Sequence, residues 1–116
     1  MSAALRWLGG SEEDVLLNKL VSALLGQWTD RKGSIYMLMQ GGTDEQRGHT
    51  IDVVTLRPTG ERRFTKGLVQ CHTSGAGDAV MFWGRWPPSR FVGLVVGEGR
   101  ITWRRGSCIF DWQKLQ

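Results

Sequence analysis

Four side chains in this sequence carry the chemistry of a nucleophile, a general base or a metal ligand: His49, Cys71, His72 and Cys108. Cys71 and His72 are adjacent, and adjacent residues of an extended segment point to opposite faces, so they cannot form the thiol–imidazole hydrogen bond directly. The four residues also lack the paired short spacing of structural zinc sites. We therefore expect neither cysteine catalysis nor a bound metal.

The carboxylates and the glycine-rich segment show no catalytic pattern either. The candidates Asp30, Asp52, Asp78 and Asp111 are scattered along the chain. The stretch "GAGD" at 75–78 lacks the Lys-Ser/Thr pair and the following helix of a phosphate-binding loop. We expect a protein that is not an enzyme and that requires no cofactor.

Length and composition favour one small globular domain. The 116 residues suffice for a single core, and 41% hydrophobic and 22% charged residues are ordinary values. No apolar run is long enough to cross a membrane, and the first ten residues are a poor match to a signal peptide. Two cysteines without a CxxC pattern favour a reduced pair and an intracellular protein. A fragment of a longer protein is equally compatible with this sequence.

One helix is predicted near the N-terminus, over residues 11–25. Ser11 and Asp14 have the spacing of an approximate capping box, and Gly26 ends the pattern. Apolar residues at helical spacing form one stripe, made by Leu17, Leu20, Val21, Leu24 and Leu25. We divide the chain into an N-terminal arm (1–10), this helix (11–25) packed on a sheet, and a β-meander domain (26–116).

After residue 26 the apolar period changes to two, and turn signals recur every eight to twelve residues. The predicted strands are 27–29, 34–40, 50–57, 61–70, 79–86, 91–96, 100–105 and 108–114, with longer loops at 41–48 and 71–78. The turn Arg57-Pro58-Thr59-Gly60 joins two of them tightly. The fold class is mainly β (α+β): an antiparallel up-and-down meander or small barrel of seven or eight strands with one amphipathic helix.

Two of the predicted strands are apolar on both faces. In 79–86 and 91–96 the residues do not alternate between apolar and polar types, whereas "RITWRR" at 100–105 does. A sheet with such strands must cover their second face. The helix stripe has a suitable size to do so, and the alternative is that another subunit covers this face.

An ordered series of short motifs resembles a small Trp-rich β domain found in predicted proteins of dinoflagellate algae. The motifs span about residues 26–114: Trp28-Thr29-Asp30, Gly33-Ser34-Ile35-Tyr36, Arg57-Pro58-Thr59-Gly60, Trp83-Gly84, Ile101-Thr102-Trp103-Arg104-Arg105 and Phe110-Asp111-Trp112. The resemblance implies a compact β domain, often beside other modules, and no catalytic residue or ligand. It also implies that Trp28, Trp103 and Trp112 are buried anchors of the core.

Charge and aromatic content point to binding. Over residues 26–116, thirteen basic residues stand against eight acidic ones. The candidate binding surface consists of Arg57, Arg62, Arg63, Lys66, Arg100, Arg104, Arg105, Trp83 and Trp86. We expect a non-catalytic interaction module that binds a protein partner or a second copy of itself. Two alternatives stay open: single-stranded nucleic acid on the basic strands, or a small ligand such as a carbohydrate in a barrel mouth.

Overall fold

The computed structural model describes residues 12–44, 48–84 and 90–115, and it is a closed barrel preceded by one helix. The helix, α1, spans Glu12–Leu24. The eight strands are β1 (Gly26–Thr29), β2 (Ile35–Asp44), β3 (Gly48–Leu56), β4 (Arg62–Thr73), β5 (Ala79–Trp83), β6 (Phe91–Gly97), β7 (Arg100–Arg105) and β8 (Cys108–Lys114). Neighbours in the barrel follow chain order and all pairs are antiparallel, so the predicted up-and-down fold is confirmed.

The barrel closes through a short seam between its first and last strands. Trp28 pairs with Lys114 and Thr29 with Gln113, and the Leu115 amide donates to the Gln27 carbonyl at 2.7 Å. On the other side, β8 pairs with β7 from Cys108 to Gln113. Because β1 ends at Thr29, it pairs only with the last residues of β8, and the first residues of β8 have no partner strand on this side among the described residues.

We call the two ends of the barrel the closed end and the mouth. The mouth is formed by the β1–β2, β3–β4 and β7–β8 turns, and the closed end by the β4–β5 and β6–β7 turns together with α1. Between them the inward-facing side chains pack into one core, whose strand members are Trp28, Tyr36, Leu38, Ile51, Val53, Val69, Cys71, Met81, Ile101, Trp103 and Trp112. The three tryptophans predicted as anchors are each at most 3% exposed, which confirms their burial.

The helix α1 covers the closed end. Leu17, Val21 and Leu24 are buried and belong to the same core as the inward side chains of the strands, while Val15 and Leu16 are exposed. The Trp28 indole donates to the Leu24 carbonyl at 2.7 Å and so satisfies one C-terminal carbonyl of α1. The predicted packing of the helix on the sheet is therefore present, at the end of the barrel.

The expectation that this helix covers the second face of the two-sided strands is wrong. Leu94, which points outward from β6, is 65% exposed, and Val92 and Val96 on the same side are 51% and 49% exposed. The apolar stripe of the helix instead packs against the closed end, because an eight-stranded barrel has an apolar interior that must be covered there. The outer face of β6 therefore stays accessible.

The prediction of two long loops is also wrong in part. Both loops are shorter in the structure, because β2, β3 and β4 extend beyond the residues that show an apolar pattern. Gly41 and Gly42 interrupt the alternation in β2, yet the strand continues through a register irregularity to Asp44. The Thr50 hydroxyl accepts from the Gly42 amide at 3.1 Å and bridges that irregularity. Conversely, β5 ends at Trp83 instead of residue 86. The predicted arm at 1–10 lies outside the described residues.

Candidate functional site

A fixed turn forms one wall of the mouth. The carboxylate of Asp30 accepts three hydrogen bonds through its two oxygens: from the Lys32 amide at 2.9 Å, from the Ser34 amide at 3.1 Å and from the Tyr36 hydroxyl at 2.6 Å. This is an Asx-type turn of the kind that the Asp-x-x-Gly sequence predicts. The Tyr36 ring stacks on Trp112 at 4.5 Å, so the wall is anchored in the core.

The phenol of Tyr36 is a neutral donor over the whole physiological range. Burial, and then the hydrogen bond to the Asp30 carboxylate, raise the pKa of Tyr36 from 10.0 to about 12. The proton thus stays on Tyr36, and its bond to Asp30 fixes the orientation of the hydroxyl. The oxygen of that hydroxyl is left to accept a hydrogen bond from another group.

Arg57 supplies that hydrogen bond. Its Nη1 donates to the Ser34 hydroxyl at 3.0 Å and to the Tyr36 oxygen at 3.4 Å. Both contacts use one terminal nitrogen, and Arg57 forms no ion pair with any carboxylate in the described parts of the chain. The guanidinium is therefore positioned by neutral oxygens and keeps its full charge.

Three aromatic rings form the floor beside this wall. Trp83, Phe91 and Phe110 contact one another edge to face, with centroid distances of 5.6 Å, 5.6 Å and 5.0 Å. Trp83 also lines two adjoining clefts in the mouth, of about 570 Å³ and 250 Å³, and Arg57 lines both as well. The larger cleft has a volume typical of small-molecule sites.

The candidate basic and aromatic residues do not form one surface. Arg57, Arg63 and Trp83 converge on the mouth, where Arg63 also faces Glu61 at 3.8 Å. Arg62 and Lys66 are exposed on β4 on either side of Phe64, outside the barrel. The other four are dispersed: Arg104 and Arg105 at the mouth end of β7, Arg100 at its closed end, and Trp86 outside the described residues.

A two-residue bulge in β4 interrupts its pairing with β3. Ile51 pairs with Val69 but Val53 pairs with Thr65, so β4 has two extra residues at this point. The Gly67 amide donates to the Asp52 carboxylate at 2.8 Å, and the Gln70 side chain donates to the Gly67 carbonyl at 2.6 Å. Because the bulge adds two residues, the alternation of β4 is unchanged across it: Arg63 lies on the same side of the strand as the core residues Val69 and Cys71, and Arg62 and Lys66 lie on the outer side.

The second accessible surface is the outer side of β6, which we call the β6 face: Val92, Leu94 and Val96. A cleft of about 710 Å³ lies over it, bordered by Arg90, Arg104 and Arg105. Arg90 lies 4.3 Å from the centroid of the Phe82 ring, and Arg105 lies 4.7 Å from that of Phe91. The first contact holds the Arg90 guanidinium at the border of the apolar strip, and the second places the Arg105 guanidinium over a ring of the mouth floor, where β7 ends.

The structure brings three of the four candidate nucleophiles and ligands to neighbouring positions near the closed end, where His49 of β3 pairs with Cys71 of β4 and His72 follows Cys71. Cys71 faces the core near the closed end and is fully buried, and burial raises the pKa of its thiol to about 12. Cys108 is exposed at the start of β8, at the mouth. In the described parts of the chain, no group of three or more His, Cys, Asp or Glu side chains has the geometry to hold a metal ion.

Three indole N–H groups inside the barrel have no acceptor. The nitrogens of Trp83, Trp103 and Trp112 are buried and make no hydrogen bond within the described structure, in contrast to that of Trp28. An unpaired buried donor costs on the order of 1–3 kcal/mol. The aromatic packing around these rings therefore outweighs a polar penalty that smaller apolar residues would have avoided.

Comparison of the chain with protein-family models, with curated proteins and with solved structures found no match. The resemblance to the dinoflagellate domain therefore rests on the motif order alone and stays a prediction. Within the described residues, no helix has the length and apolar character needed to span a membrane.

Proposed function

We propose that this protein is a non-catalytic protein-binding module and that the β6 face is its binding surface. The observation that carries the proposal is the row of aliphatic side chains on β6, of which Leu94 is 65% exposed. Single exposed apolar residues are common, but a contiguous row is typical of interaction sites. The protonated, buried thiol of Cys71 supports a role without nucleophilic catalysis.

The border of the β6 face indicates the chemistry of the partner. Arg90, Arg104 and Arg105 line the cleft over the aliphatic row, and no carboxylate lines it among the described residues. A partner segment with aliphatic side chains at its centre and carboxylates at its edges complements this surface in both properties. We therefore propose an acidic, aliphatic segment of a different protein as the occupant.

A second copy of the chain fits this surface less well. A two-fold symmetric dimer through the β6 face would place the same three arginines of both copies at one interface. Like charges brought together in this way oppose association. The charge border thus favours a heterologous partner over self-association.

Nucleic acid is also a weaker fit to the exposed surface. Single-stranded nucleic acid is held by aromatic rings on which bases stack, together with a basic groove. Trp28, Trp103 and Trp112 are buried, and the most exposed side chains of the β6 face are aliphatic. Phe64 between Arg62 and Lys66 is a single exposed ring, which offers one stacking position.

The test is selection of a displayed library of random dodecapeptides on the whole protein. We expect bound peptides enriched in Leu, Ile or Val together with Asp or Glu, and we expect Leu94→Glu to abolish their binding. The matched control is Met39→Glu, which places the same charge at an exposed apolar residue of β2 and should leave binding unchanged.

Four results would contradict the proposal. Peptides without carboxylates would overturn the acidic chemistry of the partner, and peptides that bind equally to the Leu94→Glu variant would remove the β6 face as the site. A dimer in sedimentation that is lost in the Leu94→Glu variant would make the occupant a second copy. Sub-micromolar binding of a single-stranded oligonucleotide at physiological salt would place nucleic acid first.

A further inference from the structure

The guanidinium of Arg57 has one edge engaged and one edge open. Its Nη1 is occupied by the hydroxyls of Ser34 and Tyr36. Its Nη2 and Nε have no partner among the described residues, and Arg57 lines both clefts of the mouth. The Nη2–Nε edge of a guanidinium matches the two oxygens of a carboxylate in a bidentate, planar contact.

The carboxylates that line the larger cleft do not compete strongly for this edge. Asp30 is held by three donors of its own turn, and Asp111 accepts from the Thr102 hydroxyl at 2.7 Å. Three cations line the same cleft, namely Arg31, Lys32 and Arg57. The cleft therefore combines a modest positive charge with an oriented guanidinium.

The cleft also has an apolar part. Trp83 and Phe110 line it together with Ile109, and the two rings already contact each other edge to face. A further flat ring can extend this cluster, because aromatic rings favour such edge-to-face and offset contacts. A cleft lined by both a cation and aromatic rings favours a ligand that has a negative charge and a ring.

We propose that the barrel mouth binds a small aromatic carboxylate, with the carboxylate on the open edge of Arg57 and the ring against Trp83 and Phe110. This site is separate from the β6 face, which lies outside the barrel, and the two proposals stand or fall independently. Tyr36 and Ser34 act as positioning residues, since they fix the guanidinium and leave its other edge for the ligand.

The test is titration of the isotope-labelled protein with benzoate, followed by two-dimensional NMR. Benzoate should shift the Trp83 indole N–H and the Arg57 Nε–H signals. Benzamide, which has the same shape and no charge, should bind at least about tenfold more weakly, the loss that corresponds to one charged hydrogen bond. Leu94→Glu should leave the benzoate dissociation constant unchanged.

Two variants with the same change of charge separate the open edge of Arg57 from general attraction. Arg57→Gln should weaken benzoate binding at least about tenfold, whereas Arg31→Gln, at the rim of the same cleft, should weaken it less than about twofold. Equal losses in both variants would reduce the effect to net charge and overturn the proposal. If Arg57→Gln fails to fold, the binding of benzoate and benzamide to the wild-type protein decides. Equal dissociation constants for the two compounds would reject the site, and so would NMR shifts confined to residues outside the mouth.

Discussion

The closed end and the mouth are built from the same eight strands and differ in almost every side chain that faces them. At the closed end, Leu17, Val21 and Leu24 of α1 complete an apolar core. At the mouth, Tyr36 and Arg57 join a hydrogen-bonded network beside half-buried aromatic rings. A barrel with one end sealed by a helix can therefore be polar at the other end, because its core is already complete without that end.

The two ends therefore have different roles in stability. Burial of the α1 leucines and valine removes apolar surface from water at about 25 cal/mol per Å². The polar contacts of the mouth exchange bonds to water for bonds within the protein, so each contributes only about 1 kcal/mol net. Substitutions at the closed end should accordingly cost far more than substitutions at the mouth.

The largest effect should come from Leu24→Asp. Leu24 is 1% exposed and packs in the core under the Trp28 indole, so the variant places an unpaired carboxylate in an apolar site. We expect a loss of more than about 4 kcal/mol, which leaves the protein unfolded or nearly so. Chemical denaturation followed by circular dichroism measures it.

Leu16→Asp is the matched control for Leu24→Asp, since Leu16 lies on the same helix and is 46% exposed. It should change the free energy of unfolding by no more than about 0.5 kcal/mol. A folded Leu24→Asp variant with unchanged stability would show that the helix is dispensable for the closed end, and the comparison of the two ends would lose its basis.

The second-largest loss of stability should come from a substitution in the core between the two ends. Gly93 on β6 faces inward, and a Cβ placed there would lie 2.6 Å from the Trp103 ring and 2.8 Å from the Met81 side chain. We expect Gly93→Ala to destabilise the protein by about 2–3 kcal/mol, because a methyl group must displace packed side chains.

The control for Gly93→Ala is Gly97→Ala on the same strand. A Cβ at Gly97 meets no atom within 4 Å, so this variant should be within about 0.5 kcal/mol of wild type. Thermal unfolding of the two variants is the comparison. Equal stability of both would mean that the centre of the barrel is loosely packed and that the mouth is not isolated from the closed end.

Much of this architecture is predictable from the sequence, because helices, strands and tight turns each produce a pattern within a few neighbouring residues. The helix stripe, the alternation in "RITWRR" and the tight turn at Pro58 identify α1, β7 and the β3–β4 connection within one or two residues. The extensions of β2 and β4 are not predictable in this way. Glycines at 41 and 42 interrupt the alternation of β2, and the polar residues His72 and Thr73 end the apolar pattern of β4, while the backbone pairing continues to Asp44 and Thr73.

The candidate site is less predictable, because side chains distant in sequence create it. Arg57 and Trp83 appear in the sequence as parts of separate strands, and only barrel closure brings them to the same clefts. Nothing in the sequence around Phe110 or Tyr36 indicated that either residue would belong to a binding site. For the β6 face the signal was present, since residues 91–96 are apolar on both sides, but the sequence does not tell which element covers them.

The smallest effect, and the sharpest test of the mouth, should come from Tyr36→Phe. The phenol donates to Asp30 and accepts from Arg57, so its removal should cost about 1 kcal/mol at neutral pH. The pKa of Tyr36 is raised from 10.0 to about 12, so its contribution is complete below pH 10 and is lost as the pH rises toward 12. Tyr36→Phe has no such loss, and the difference in unfolding free energy between wild type and variant should therefore close by about pH 11.

Urea denaturation of both proteins at intervals between pH 8 and pH 11.5 measures this gap. Cys71, whose thiol also has a raised pKa, titrates in both proteins and cancels in the difference. A gap that stays constant over this range would mean that burial and the hydrogen bond to Asp30 do not raise the pKa of Tyr36, and the mouth would then lack the fixed wall on which Arg57 is positioned.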